Sequence, residues 1–367
     1  MPVEMRHRFH SLCPYFAMFP EQFAEKWIDR LTNPGDYVLD PFAGRGTTAL
    51  SSLLRGRKAI SCDTNDVAVC LTRAKTTPPA FAVLNKRIEE LQRQFTQKSG
   101  KAPHCLPPFF ESAFSRGTLE QLVFLRAALE WKSSKVDAMV AALVLGSLHG
   151  ESQKCSYYLS NQMPRTISTK PAYSIRFWAR RRMQPPDRNV FRVLQDRAQY
   201  RYTSKPPKGI SVVFHSDMRN LPRLIDRSKT SIKCVITSPP YLDVTNFEED
   251  QWLRLWFLGG PAMPTASARS RDDRHLTCDK YWTFISDMWR ALGATVAANA
   301  HLVIRIGSRK QPPLALRSCL SSTSALSGRK VKLVSTHTTE IRNSQTRVFR
   351  PNSRGCSIET DCHFVMT

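Results

Sequence analysis

The sequence has no run of apolar residues approaching the roughly 18 that a membrane-spanning helix needs, which argues against an integral helical membrane protein. Its first residues, Met1-Pro2-Val3-Glu4-Met5-Arg6-His7-Arg8, lack the apolar core of a secretory signal, so a cytoplasmic location is expected. None of the ten cysteines falls in a Cys-x-x-Cys pair. The nearest cluster, Cys356, Cys362 and His363, does not have the spacing of a common zinc module, so no metal site is expected and the thiols read as free in a reducing compartment. No internal repeat is evident. Acidic residues are scarce, 30 against 54 Lys and Arg, for a net charge of +24. Solubility does not require such an excess. It points to a polyanion, because each Lys or Arg near a phosphate releases condensed counterions.

The 367 residues, 41% of them hydrophobic, suffice for one large α/β domain with an insertion or for two domains. Residues 20–31 carry Phe23, Trp27, Ile28 and Leu31 at helical spacing behind Pro20, which suits a first helical turn. The turn Asn33-Pro34-Gly35-Asp36 follows. A short strand then ends in Asp40, a glycine-containing loop leads into a helix from about Thr47, and a second strand at 58–62 ends in Asp63. This is β-loop-α-β-α, the opening of a doubly wound parallel sheet. Residues 87–150 read as helical, most strongly at 119–131 and 136–148. Strands are expected again at 210–214, 232–237 and 301–306, a helix at 281–298, and a terminal hairpin from 331–338 and 357–366. Between 151 and 209, thirteen Lys or Arg stand against three acids, with Tyr157, Tyr158, Tyr173, Phe177, Trp178, Tyr200 and Tyr202 interleaved. Mixed cations and aromatic rings suit phosphates and base faces, and Lys170, Arg180, Arg181, Arg182 and Arg188 are the candidate DNA contacts.

Two segments carry chemistry. In Asp40-Pro41-Phe42-Ala43-Gly44-Arg45-Gly46-Thr47-Thr48, Gly44 and Gly46 supply permissive backbone angles that let amides approach a ligand, and the helix start adds partial positive potential. Asp63, about 20 residues on at the end of the next strand, sits where doubly wound folds commonly hold ribose hydroxyls. A nucleoside-containing cofactor is expected. In Thr237-Ser238-Pro239-Pro240-Tyr241, two prolines stiffen the backbone and remove two N–H donors. A rigid carbonyl beside the Ser238 hydroxyl is suited to accept hydrogen bonds from an NH2 group, and Tyr241 offers a flat face for stacking.

Together these segments resemble the amino-methyltransferase family of DNA methylases, most closely its cytosine-N4 branch from type II restriction–modification systems. Residues 40–48 are similar to the family's cofactor motif and 237–241 to its catalytic motif. His10-Ser11-Leu12-Cys13-Pro14-Tyr15-Phe16 resembles the N-terminal cofactor motif, Cys62-Asp63-Thr64-Asn65 with Leu71-Thr72-Arg73-Ala74-Lys75 the second-strand motif, and His215-Ser216-Asp217 the third. The resemblance implies a Rossmann-like, doubly wound α/β sheet of the S-adenosylmethionine-dependent methyltransferase type, with a terminal β-hairpin and a largely helical basic insertion. The expected division is 1–89 (cofactor half), 90–209 (insertion, read as target recognition) and 210–367 (catalytic half). It also implies site-specific methylation of cytosine N4 in double-stranded DNA, with a cognate restriction endonuclease as a functional partner, not necessarily in a complex, and no membrane. Tyr15, Pro41, Phe42, Ala43, Gly44, Gly46, Thr47 and Thr48 would shape the S-adenosylmethionine site. Asp40 would lie near the methionine amine, Asp63 on the ribose and Asp217 on the adenine amine. Ser238 and the Pro239 carbonyl would bind the target amine, with Pro240 stiffening the turn and Tyr241 stacking on the base. Adenine N6 is the rival target, since an Asp is commoner there at the position of Ser238. An RNA methyltransferase and a non-catalytic DNA-binding protein are further alternatives. Carbon-5 methylation uses a Pro-Cys catalytic pair that this sequence lacks. Arg45, between the motif glycines where a small residue is commoner, is expected to reach a phosphate or point to solvent.

Overall fold

The computed structural model describes residues 6–15, 19–97, 106–150, 157–163, 170–242, 247–264, 277–308, 311–340, 356 and 358–367. The chain divides into two compact units, one of 15–72, 207–246 and 269–367, the other of 1–14, 73–206 and 247–268.

The first unit is built on a seven-stranded sheet in the order β3-β2-β1-β4-β5-β7-β6. Strands β1 (Tyr37–Asp40), β2 (Lys58–Asp63), β3 (Ser211–His215), β4 (Ile232–Thr237) and β5 (Ala300–Gly307) are parallel. The hairpin of β6 (Val331–Glu340) and β7 (Ile358–Met366) adds on by antiparallel pairing of β7 with β5. The central strands are apolar without alternation because both faces are covered. Val38, Cys234, Ile236 and Val303 point to one side, where α1 (Glu21–Leu31) packs Phe23, Ala24, Trp27 and Ile28 on them. Their neighbours Leu39, Val235, Leu302 and Ile304 point to the other, against Tyr281, Ile285, Met288, Trp289 and Leu292 of α12 (Cys278–Thr295). Trp289 is fully buried, and its truncation to Ala would cost about 3–5 kcal/mol. Helix α2 (Thr47–Leu54) lays Ala49 and Leu53 on Ala59 of β2. Helices α3 (Asp66–Thr76), α10 (Leu221–Leu224) and α13 (Pro313–Thr323) complete the connections. The doubly wound sheet and terminal hairpin therefore stand as expected, with strand ends moved by one or two residues.

The second unit is helical: α4 (Phe81–Gln97), α5 (Pro108–Ala113), α6 (Arg116–Ala128), α7 (Lys135–Ser147), α8 (Pro171–Arg180), α9 (Val190–Arg201) and α11 (Phe247–Phe257). Helix α7 is its centre. Every residue from Asp137 to Ser147 is buried, as befits a helix apolar all round. Gly146 faces the Leu12 carbonyl, with which any Cβ would collide. Ser115, Ser134 and Asn189 cap α6, α7 and α9 through their side-chain oxygens. At the start of α7, Arg87 closes a two-point pair on Asp137, Nε at 2.8 Å and Nη2 at 3.2 Å. This unit is wider than the expected segment 90–209. Helix α4 buries Leu84, Ile88 and Leu91 and packs on α7 and α9. Trp256 of α11 lies 4.5 Å from the Phe110 ring, and the Trp256 carbonyl accepts from Arg126 Nε at 2.7 Å. Such long-range packing leaves no mark in local composition. Among the described residues, no helix is long and apolar enough to cross a membrane.

Candidate functional site

The loop from β1 to α2 is fixed by its acids. Asp40, 1% exposed, accepts from Phe42 N at 3.1 Å and from the Thr237 hydroxyl at 2.7 Å. Burial is the largest influence on this carboxyl and lifts its pKa to about 6, against hydrogen bonds from Thr237, Phe42 and Thr48. Asp40 is thus an enclosed latch between the ends of β1 and β4. Ala43 N donates to Cys62 O (3.0 Å) and Gly46 N to Ala43 O (2.7 Å). Gly44 and Gly46 both adopt left-handed backbone angles, φ +50° and +73°. At Gly46, the N-cap of α2, a Cβ would sit 2.7 Å from the Thr72 hydroxyl, so both conformation and space demand glycine. At Gly44 the nearest side-chain atom would be Tyr15 Cε1 at 3.7 Å. Pro41, Ala43, Thr47 and Thr48 are buried. Phe42 is half-buried, its ring 5.3 Å from that of Phe284. The Thr48 hydroxyl donates to Ile236 O at 3.1 Å, a second tie to β4.

Two more acids stand at neighbouring strand ends. Asp63 is half-exposed and oriented by two amides, Gly44 N on Oδ2 at 2.8 Å and Asn65 N on Oδ1 at 2.9 Å. Asp217 follows β3 and accepts from Arg219 N (3.0 Å). The Arg219 guanidinium also grips it at two points, Nε and Nη2 both at 2.8 Å. The ends of β3, β2 and β1 thus carry Asp217, Asp63 and Asp40 in a row at the carboxyl edge, where doubly wound sheets bind ligands.

Arg45 corrects the expectation from the sequence. It is 3% exposed, with Nε donating to the Thr47 hydroxyl at 3.3 Å and Nη2 3.9 Å from the Glu21 carboxylate. The guanidinium is neither at the surface nor free for a phosphate, because the turn folds its side chain back under the loop towards α1.

Beside this loop, β4 runs into Ser238-Pro239-Pro240-Tyr241. Pro239 is buried; Ser238, Pro240 and Tyr241 are half-buried. The prolines interrupt the ladder, and pairing with the β5 side resumes in a bridge between Leu242 and Ser308. The Tyr241 ring rests on backbone, since a Cβ on Gly307 would lie 3.0 Å from Cε2. Its hydroxyl donates to Glu359 Oε1 at 2.9 Å. Glu359 Oε2 lies 3.1 Å from Arg305 Nη1, and Arg305 holds Asp361 through Nε (2.6 Å) and Nη2 (2.9 Å). Burial pushes the Tyr241 hydroxyl well above its ordinary pKa, and the Glu359 charge adds to that. Burial also raises Glu359, opposed by Arg305. Arg305, Gly307 and Glu359 belong to no motif legible in the sequence. The available signal was the alternation Glu359-x-Asp361, which puts two acids on one face of a strand.

In the helical unit, Lys170 is the N-cap of α8, and Lys170, Arg180, Arg181 and Arg182 are exposed. Pro171, Ser174 and Trp178 anchor the inner face of α8. Outside, Tyr173 is 54% exposed, its ring 6.2 Å from Phe177, over which the Arg181 guanidinium lies at 3.8 Å. Arg188 differs from the others. It is half-buried, its carbonyl accepts from the Thr118 hydroxyl at 2.8 Å, and its amide meets the same oxygen at 3.0 Å. Tyr158 and Trp178 are core residues.

Over residues 4–73 the chain matches the family described as DNA methylase. It is 37% identical over 73 residues to the orphan methyltransferase M.BamHII of Bacillus amyloliquefaciens, which is 20% of this chain and 27% of that one. It is 30% identical over 92 residues to the type II methyltransferase M.MvaI of Kocuria varians, 24% and 20% of the two chains. The matched part thus spans about a quarter or less of the length of these curated relatives. Among solved structures, the rRNA methyltransferase aviRa from Streptomyces viridochromogenes aligns over 98% of this chain and 93% of its own at 13% identity and a TM-score of 0.35. TrmN from Thermus thermophilus aligns over 98% and 53% at 9% identity and a TM-score of 0.39. The resemblance to DNA amino-methyltransferases holds over the stretch that carries the cofactor motif, and the family implies S-adenosylmethionine as the cofactor.

Proposed function

We propose that the chain is a site-specific DNA methyltransferase acting on an exocyclic base amine, with cytosine N4 as the target atom. The observation that carries this reading is the Thr237–Asp40 hydrogen bond of 2.7 Å, which ties the Ser238-Pro239-Pro240-Tyr241 turn to the glycine loop on the adjacent strand. Two loops that must meet at one methyl group leave neighbouring strands, locked together.

The donor set fits S-adenosylmethionine. Asp63 offers oriented, half-exposed oxygens to ribose hydroxyls. Tyr15, Phe42, Ala43 and Gly44 give an apolar wall with room beside Gly44, and Asp217 takes the adenine amine in exchange for part of its pairing with Arg219. Asp40 secures the turn. When bound, the cofactor supplies an electrophilic methyl group on a sulfonium. The protein's part is positioning. A base amine is buried in the duplex, so the base is turned out of the stack at a cost of a few kcal/mol. Its lone pair conjugates with the ring and is a poor nucleophile. The Ser238 hydroxyl and Pro239 carbonyl accept hydrogen bonds from the amine and favour a pyramidal nitrogen, while Tyr241 holds the ring plane so that the lone pair faces the methyl in line. Ser238 at the first position of the motif supports cytosine over adenine. The net charge of +24 and the exposed Lys170, Tyr173, Arg180, Arg181 and Arg182 support duplex DNA as the substrate.

The test is incubation of the purified protein with tritiated S-adenosylmethionine and mixed-sequence duplex DNA, then nucleoside mass spectrometry. N4-methylcytosine is expected. N6-methyladenine would overturn the reading of Ser238, and methylated nucleosides from RNA alone would overturn the choice of DNA.

A further inference from the structure

The proposed chemistry needs a flat ring held in one plane, yet Tyr241 follows two prolines on a loop, and its local side-chain partner, Ser238, belongs to that same loop. The structure supplies that fixation from another strand. Gly307 lies opposite Glu359 in the β5–β7 pairing, and Arg305 lies opposite Asp361. The missing side chain at Gly307 lets the Tyr241 ring settle on the backbone. The same register brings Glu359 to the hydroxyl at 2.9 Å and Arg305 to Glu359 at 3.1 Å. Arg305 is itself fixed, 7% exposed, paired at two points with Asp361 and stacked 3.8 Å over the Phe23 ring. A half-buried carboxylate with a cation on one oxygen and a phenol on the other is a rigid bracket, since both partners gain where the local dielectric is below that of water.

We propose that Glu359, held by Arg305, is a positioning residue that sets the plane of the Tyr241 ring for stacking on the target base. This rests on the methyltransferase reading above. Replacement E359A removes the acceptor but leaves Arg305 its pair with Asp361. E359Q keeps an acceptor oxygen, and Y241F removes the donor while keeping the ring. Expected are a tenfold or greater fall in kcat for E359A with S-adenosylmethionine affinity within twofold of wild type, recovery in E359Q to within threefold, and a Y241F defect that E359A does not deepen. An active wild type with an equally active E359A, or defects that multiply in the double variant, would overturn the bracket. A wild type that methylates no nucleic acid would instead sink the functional reading, and the bracket is then read without activity. In 3-fluorotyrosine-labelled protein, the 19F line missing from Y241F identifies Tyr241. That line is expected to be displaced from the solvent-exposed position in wild type and E359Q and to move to it in E359A. An unmoved line in E359A counts against the proposal.

Discussion

At Asp40, burial outweighs the hydrogen bonds its carboxyl receives from Thr237, Phe42 and Thr48, and the folded pKa of about 6 stands above the ordinary 3.8. Between these values the folded chain keeps a proton that the unfolded chain has released. Stability from this group therefore falls as pH rises from about 4 to 6 and is level above that, a change on the order of 3 kcal/mol. Asp40→Asn keeps an acceptor and abolishes the titration. Its melting temperature should match wild type near pH 4 and exceed it at pH 7, and a constant difference across that range would refute the assignment. At Tyr241, replacement by Ala is expected to lower turnover a hundredfold or more, with calorimetry showing nearly unchanged S-adenosylmethionine binding. A tenfold loss of cofactor affinity would mean that the residue belongs to the other loop. Gly46 was legible in the sequence because strand, acid and glycine follow one another within a few residues, and Asp63 because it ends the next strand, 19 residues after Gly44. Glu359 was not, because the bond that gives it meaning spans 118 positions.

Helix α8 shows what periodicity does and does not reveal. Trp178 stands in sequence among the aromatics interleaved with cations, but it shares the face of Pro171 and Ser174 and is core. Tyr173, Phe177 and Arg181, four apart, form the outer stripe. Arg188, beyond the helix end, is half-buried, and its backbone joins the loop to α6 through Thr118. Binding to duplex DNA should therefore weaken steeply with salt in the wild type. The double variant Arg180→Gln, Arg181→Gln should flatten the slope of log affinity against log salt by about 2, roughly 0.9 for each phosphate that is no longer neutralised. Affinity measured over a salt series decides this, and an unchanged slope would remove α8 from the DNA surface. The strands were more legible than the helices. β4 was placed to the residue, because turn signals bound it on both sides.

Over the whole molecule, the first four parallel strands declared themselves through local order, an apolar run ending in an acid or in the proline turn. The antiparallel position of β7 between β5 and β6 did not, since pairing partners far apart in sequence leave no local pattern. For the same reason the helical unit could be sensed from composition between 151 and 209, while its recruitment of 1–14 and 247–268 could not.

The bond between Tyr241 and Glu359 also sets a schedule. A ribosome adding about 5–20 residues per second takes roughly 6–24 s to travel from one to the other. Through that interval the nascent chain already holds the glycine loop and the proline turn, but its tyrosine has no bracket. On the proposed reading, the groups assigned to S-adenosylmethionine are synthesised before the bracket of the base platform is, so a polypeptide interrupted between them would carry the former without the latter.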